Sequence, residues 1–220
     1  MASGHTLIFI GGDPPHPSVR THLPADAYVI AADSGYAHAI AMGFVPNELV
    51  GDMDSIAAID LSDAHDSNVV NTQYPTDKDL TDTEIAIAIA LARHSTHITV
   101  VSGGGDRFDH VLGMVHSLAS CAVTVKTNLL IGTARVSYVG IAQTLSLDTH
   151  AGNIVSLLPI GGNATVTTTG LQWELNNDTL QSFASRGISN IATGESVTIS
   201  VTDGSLSVVE PFFLNPGDFQ

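Results

Sequence analysis

The chain has 220 residues, 44% of them hydrophobic, enough to bury a core in one large domain or two small ones. Seven basic residues stand against 22 acidic ones, a formal charge of −15 that repels DNA, RNA and anionic membrane over most of the surface and excludes polynucleotide binding. No apolar run approaches about 18 residues and Leu7 to Ile10 lacks a basic flank, which predicts a cytoplasmic protein, while the lone Cys121 excludes an internal disulfide and reads as core.

In chain order, Leu7 to Ile10 reads as a buried strand entering the tight loop Gly11-Gly12-Asp13-Pro14-Pro15, and Tyr28 to Ala32 as a second strand before Asp33-Ser34-Gly35. A short alanine-rich helix is expected from Tyr36 to Phe44 with Gly43 as its C′ residue, then a third strand, Glu48 to Val50, ending at Gly51-Asp52. Asp52 and Asp54 are spaced i, i+2; on extended chain past a strand that spacing aims both carboxylates one way. Like charges so close need a cation or proton to offset them, and a hard divalent ion such as Mg2+ is the first candidate, against two solvated loop aspartates.

A fourth strand is expected at Asn68 to Val70, followed by a polar loop and a helix from about Asp82 to Arg93. Thr81 and Glu84 form a capping box, Leu80 and Ile85 occupy the staple positions, and Ile85, Ile89 and Ala92 share one face. The amide end of this helix, with Lys78 just before it, attracts phosphate, although Lys78 can instead pair with Asp82 at i, i+4. His97 to Val101 is a fifth strand, running into the glycine-rich stretch Ser102-Gly103-Gly104-Gly105-Asp106-Arg107-Phe108-Asp109-His110 and a helix through Ala119. Val123 to Val125 is a sixth strand.

Strands alternating with helices imply a mostly parallel sheet whose ligands gather beyond the strand C-terminal ends. Asp33, Asp52, Asp54, Asp82, Arg107 and Asp109 all fall at that edge. Neither glycine loop is a Walker A or dinucleotide fingerprint, so any nucleotide binds by another design. Beyond about Asn128 the helical period vanishes. Arg135 to Val139, Thr144 to Leu147, Ile154 to Leu158, Thr165 to Thr168, Val197 to Val201 and Leu206 to Val209 read as strands of an all-β sandwich, with a hairpin turn at Asp203-Gly204. The expected organisation is an α/β domain over residues 1–130 with a mostly parallel sheet flanked by helices, and a β-sandwich domain over 131–220.

These motifs in this order resemble the thiamine pyrophosphokinase (thiamine diphosphokinase) family: Ala32-Asp33-Ser34-Gly35, Gly51-Asp52-Met53-Asp54-Ser55, Lys78-Asp79-Leu80-Thr81-Asp82, Arg107-Phe108-Asp109-His110, Gly170-Leu171-Gln172-Trp173-Glu174-Leu175 and Gly187-Ile188-Ser189-Asn190. The resemblance implies transfer of the pyrophosphoryl group of ATP to the hydroxyl of thiamine, giving thiamine diphosphate and AMP. It also implies a homodimer with active sites at the subunit interface. By the same resemblance Asp52, Asp54 and Asp82 hold Mg2+, while Asp33, Lys78, Asp79, Arg107 and Asp109 line the nucleotide and phosphate region. Trp173, Ser189 and Asn190 form the thiamine pocket.

Two departures stand out: Asp33-Ser34-Gly35 where the family often has Asp-Gly-Gly, and Gly105-Asp106-Arg107 where it often has Gly-Gly-Arg. Asp79 or Asp109 is the candidate base for the alcohol. Trp173 is either a stacking platform for an aromatic cation or part of the sandwich core. His110 either touches nucleotide or only opens its helix. A metal-dependent phosphohydrolase using the same carboxylates, and a nucleotide-sensing module without turnover, are the competing readings.

Overall fold

The computed structural model describes residues 4–51, 70–73, 79–105 and 107–214. Asp52, Asp54 and Lys78 lie outside the described residues, as do positions 68 and 69 of the expected fourth strand. The chain divides into two compact units, Met1–Met114 with Leu129–Gly132, and Val115–Asn128 with Thr133–Gln220.

In the first unit, β1 (His5–Phe9), β2 (Tyr28–Ala32), β3 (Glu48–Gly51), β4 (Val70–Gln73) and β5 (His97–Ser102) are ordered β5-β1-β2-β3-β4, and every pair is parallel. Leu7, Ile8, Phe9, Ile30, Leu49, Val50, Ile98 and Val100 are all completely buried. Continuous apolar runs of this kind are what a parallel sheet covered on both faces requires. Helices α1 (Gly35–Ala41) and α2 (Asp82–Ala92) pack on the strands, and α3 (Phe108–Cys121) follows β5. Gly43, at φ +76°, follows the C-cap of α1, as its place in the sequence implies.

Two local expectations change. The buried residues of α2 are Ile85, Ala86, Ile87 and Ala90, with Ala92 exposed and Leu80 51% exposed, so the apolar face is rotated and the staple is open on one side. The helix is apolar nearly all round, and period alone could not choose its face. Residues 122–125 form a turn instead of a strand, with the amides of Thr124 and Val125 donating to the carbonyl of Cys121. The strand comes next, as β6 (Lys126–Ile131).

The second unit is a sandwich of two antiparallel sheets. One is ordered β12-β9-β14-β7, from β7 (Ala134–Val139), β9 (Ile154–Pro159), β12 (Asn190–Ile191) and β14 (Leu206–Glu210). The other is ordered β11-β10-β13-β8, from β8 (Gln143–Asp148), β10 (Ala164–Thr169), β11 (Asp178–Leu180) and β13 (Ser196–Asp203). Val139, Leu157, Leu206 and Val208 of the first sheet share one core with Leu147, Val166, Ile199 and Val201 of the second.

Asp203-Gly204 is not a hairpin turn. β13 pairs with β10 and β8, whereas β14 pairs with β7 and β9, so this link crosses between sheets. Gly204 at φ +78° supplies the reversal, and any side chain there would strike the carbonyl oxygen of Asn163.

Candidate active site

At the C-terminal ends of β1 and β2, a cavity of about 320 Å³ is lined by Gly11, Gly12, Asp33, Ser34, Thr81, Asp82 and His110 among others. Asp33 and Asp82 were expected at this edge, and the fold brings them together with His110, which the sequence left open between touching nucleotide and only opening its helix. Ser34 and Thr83 also line the cavity, and nothing in their own spacing marked them; Thr81, read from its spacing as a helix cap, lines it too.

Asp33 sits at φ +49°, a left-handed conformation that aspartate tolerates better than most residues. Its amide donates to the carbonyl of Val50 at 2.9 Å, tying the loop after β2 to the end of β3. Gly51 is essential to that arrangement, because its φ is +150° and a side chain there would run into the Asp33 carboxylate. Gly35 likewise lets α1 begin against the backbone of Phe9.

Asp82 is the first residue of α2, and a complete capping box precedes it. The Glu84 amide donates to Thr81 Oγ1 at 3.2 Å, and the Thr81 amide donates to Glu84 Oε2 at 3.0 Å. The helix start is therefore fixed by local bonds, and with it the position of Asp82. Asp79 is exposed, two residues before that cap.

The loops after β1 and β5 interlock. Asp13 N–H donates to the carbonyl of Gly104 at 2.7 Å, Gly103 N–H donates to the carbonyl of Asp13 at 3.0 Å, and the Asp13 carboxylate covers Gly105. Two residues beyond Gly105, Arg107 grips Asp109 side-on, Nε to Oδ1 at 3.1 Å and Nη2 to Oδ2 at 2.6 Å. The guanidinium, first of all, holds the Asp109 carboxyl below the usual range.

In the second unit, the side-chain amide of Asn190 brackets the backbone of Trp173. Ser189, at φ +58°, donates its amide to Ser156 Oγ at 2.9 Å. Trp173 is 56% exposed, so its ring is not part of the sandwich core.

Among the described residues no three His, Cys, Asp or Glu side chains gather at one point. The cavity nevertheless offers mainly hard oxygen donors, the carboxylates of Asp33 and Asp82 with neighbouring hydroxyls, a set that suits Mg2+, beside the single borderline imidazole of His110.

Residues 19–131 match the model of the thiamin pyrophosphokinase catalytic domain, and residues 142–206 match that of the thiamin pyrophosphokinase vitamin B1 binding domain. The chain belongs to the thiamin pyrophosphokinase family. Thiamine pyrophosphokinase from Bacillus subtilis (strain 168) is 25% identical over 211 residues, covering 93% of this chain and 97% of that one. The crystal structure of thiamine pyrophosphokinase from B. subtilis matches the fold with a TM-score of 0.82 at 23% identity, over 95% of this chain and all of that one. The thiamin pyrophosphokinase structure from Geobacillus thermodenitrificans matches with a TM-score of 0.76 at 26% identity, over 93% and 96% of the two chains. Asp33, Thr81, Asp82 and His110 of the cavity fall in the region matched to the thiamin pyrophosphokinase catalytic domain, Gly11 and Gly12 just before it, and the Trp173–Asn190 bracket falls in the region matched to the B1-binding domain. No helix among the described residues is long and apolar enough to cross a membrane.

Proposed function

We propose that this chain is a thiamine diphosphokinase that moves the β,γ-pyrophosphoryl group of ATP to the hydroxyl of thiamine. The thiamine oxygen attacks the β-phosphorus, the bond from that phosphorus to the α-phosphate oxygen breaks, and AMP leaves while the hydroxyl gives up its proton. The observation that carries this reading is the presence of both family domains, catalytic and B1-binding, on one chain.

The acidic cavity that contains Asp33 and Asp82 supports the phosphate half of the reaction. Asp82 with Asp52 and Asp54 would hold Mg2+, which when bound offsets charge on the phosphate oxygens. Lys78 and Arg107 add cationic contacts, Asp33 and His110 orient the nucleotide, and the exposed carboxylates Asp79 and Asp109 are the candidates to take the proton. Trp173 offers an exposed ring to the aromatic cation, and Ser189 and Asn190 fix its edge. The active form is a homodimer with sites at the subunit interface, to be checked by sedimentation.

Incubation with ATP, Mg2+ and thiamine tests the activity. AMP formed only when thiamine is present is the expected result. Phosphate released without thiamine indicates a phosphohydrolase instead, and absence of any product indicates a binding module.

A further inference from the structure

Of the two carboxylates available to take the thiamine proton, Asp109 is already committed. Both of its oxygens accept from Arg107, and Oδ1 accepts the His110 amide as well at 3.1 Å. We infer that Asp109 is a positioning residue which fixes the Arg107 guanidinium on the first turn of α3, and not the base of the reaction. This rests on the proposed pyrophosphoryl transfer.

Three observations support it. The contact is side-on and bidentate, so it fixes both the distance and the plane of the guanidinium, which a single contact cannot do. Asp109 lies in the first turn of α3, so the fork is anchored to a helix and not to a free loop. The residue next to Asp109 in the helix, His110, lines the cavity with Asp33 and Asp82, so the helix turn that anchors the fork also borders the acidic pocket. Arg107 is 70% exposed; left to itself, a side chain with that many rotatable bonds would sample many positions before meeting a phosphate.

The base role fails on chemistry. A carboxylate that must accept a proton while holding a guanidinium has to surrender the fork during the reaction. Its affinity for a proton is also lowered by that same cation, which makes it a weaker acceptor near neutral pH. Asp79, exposed, makes no such contact among the described residues and is the freer acceptor.

The test uses the full-length protein with Asp109→Asn, Arg107→Ala and the double substitution. Circular dichroism checks the fold, which two exposed residues should leave intact. For Asp109→Asn the expected outcome is a KM for ATP raised roughly tenfold, a KM for thiamine within about twofold, and an acidic limb of the kcat pH profile that does not move. In the Arg107→Ala background, replacing Asp109 should add nothing. A kcat loss of about 10² or more with the acidic limb abolished, or losses that add in the double variant, would overturn the proposal. Titration with a nonhydrolysable ATP analogue and Mg2+ separates this from the activity itself. Weaker binding by Asp109→Asn supports the positioning role even if the unsubstituted protein forms no AMP, and unchanged binding sinks it.

Discussion

Asn190 holds the backbone of Trp173 from both sides, its Oδ1 accepting the Trp173 amide at 3.1 Å and its Nδ2 donating to the Trp173 carbonyl at 2.8 Å. Asn190 is 4% exposed, so no water replaces these bonds once the side chain is removed. Asn190→Ala is expected to destabilise the sandwich by about 1–3 kcal/mol in urea unfolding. It should also raise the KM for thiamine while leaving that for ATP unchanged, because the freed backbone no longer aims the indole.

Gly51→Ala brings a methyl group against the Asp33 carboxylate at a backbone angle that side chains avoid. A cost of roughly 1–3 kcal/mol is expected from the strain. Loss of kcat/KM well beyond what that destabilisation explains, measured below the melting temperature, would show that Asp33 must sit where Gly51 allows it.

Thr81→Ala removes the acceptor for the Glu84 amide and should lower stability by about 1 kcal/mol. Thr81→Ser keeps the oxygen and should behave as the unsubstituted protein does. Thermal melts of the two variants side by side check the difference.

Tyr138 is 5% exposed and its hydroxyl has no hydrogen-bond partner among the described residues, and burial pushes its phenol pKa up. The folded state therefore keeps a proton that the unfolded chain releases first. The stability linked to this group is complete below the ordinary phenol range and declines as pH rises above it. Tyr138→Phe should be neutral or stabilising by about 1 kcal/mol at pH 7, and should lessen the loss of melting temperature at alkaline pH. A lower melting temperature at neutral pH would contradict the absence of a partner.

Much of this architecture could be read from local chemistry. The capping box at Thr81 and Glu84 needs only four residues, and the six runs from Arg135 to Val209 all form strands because valine, threonine and isoleucine bounded by turn signals favour extended chain locally. The apolar face of α2 was not legible, since Ile85 to Ala92 contains no polar residue to mark the outer side. The two-residue strand at Asn190 was hidden for another reason: it is defined by its pairing with Ile154 and Val155, far away in sequence. At the site, Asp33 and Asp82 were found because carboxylates at strand ends and helix starts stand out, whereas Ser34 and Thr83 matter only through the cavity they line.

The link at Asp203-Gly204 has a mechanical consequence. Strands separated by only two residues are bonded in opposite layers, so no hairpin can close there early and guide the rest. Load applied to the end of β14 passes through that short link into the other sheet. The sandwich should thus give way in one step under force, both layers together, and not peel apart strand by strand.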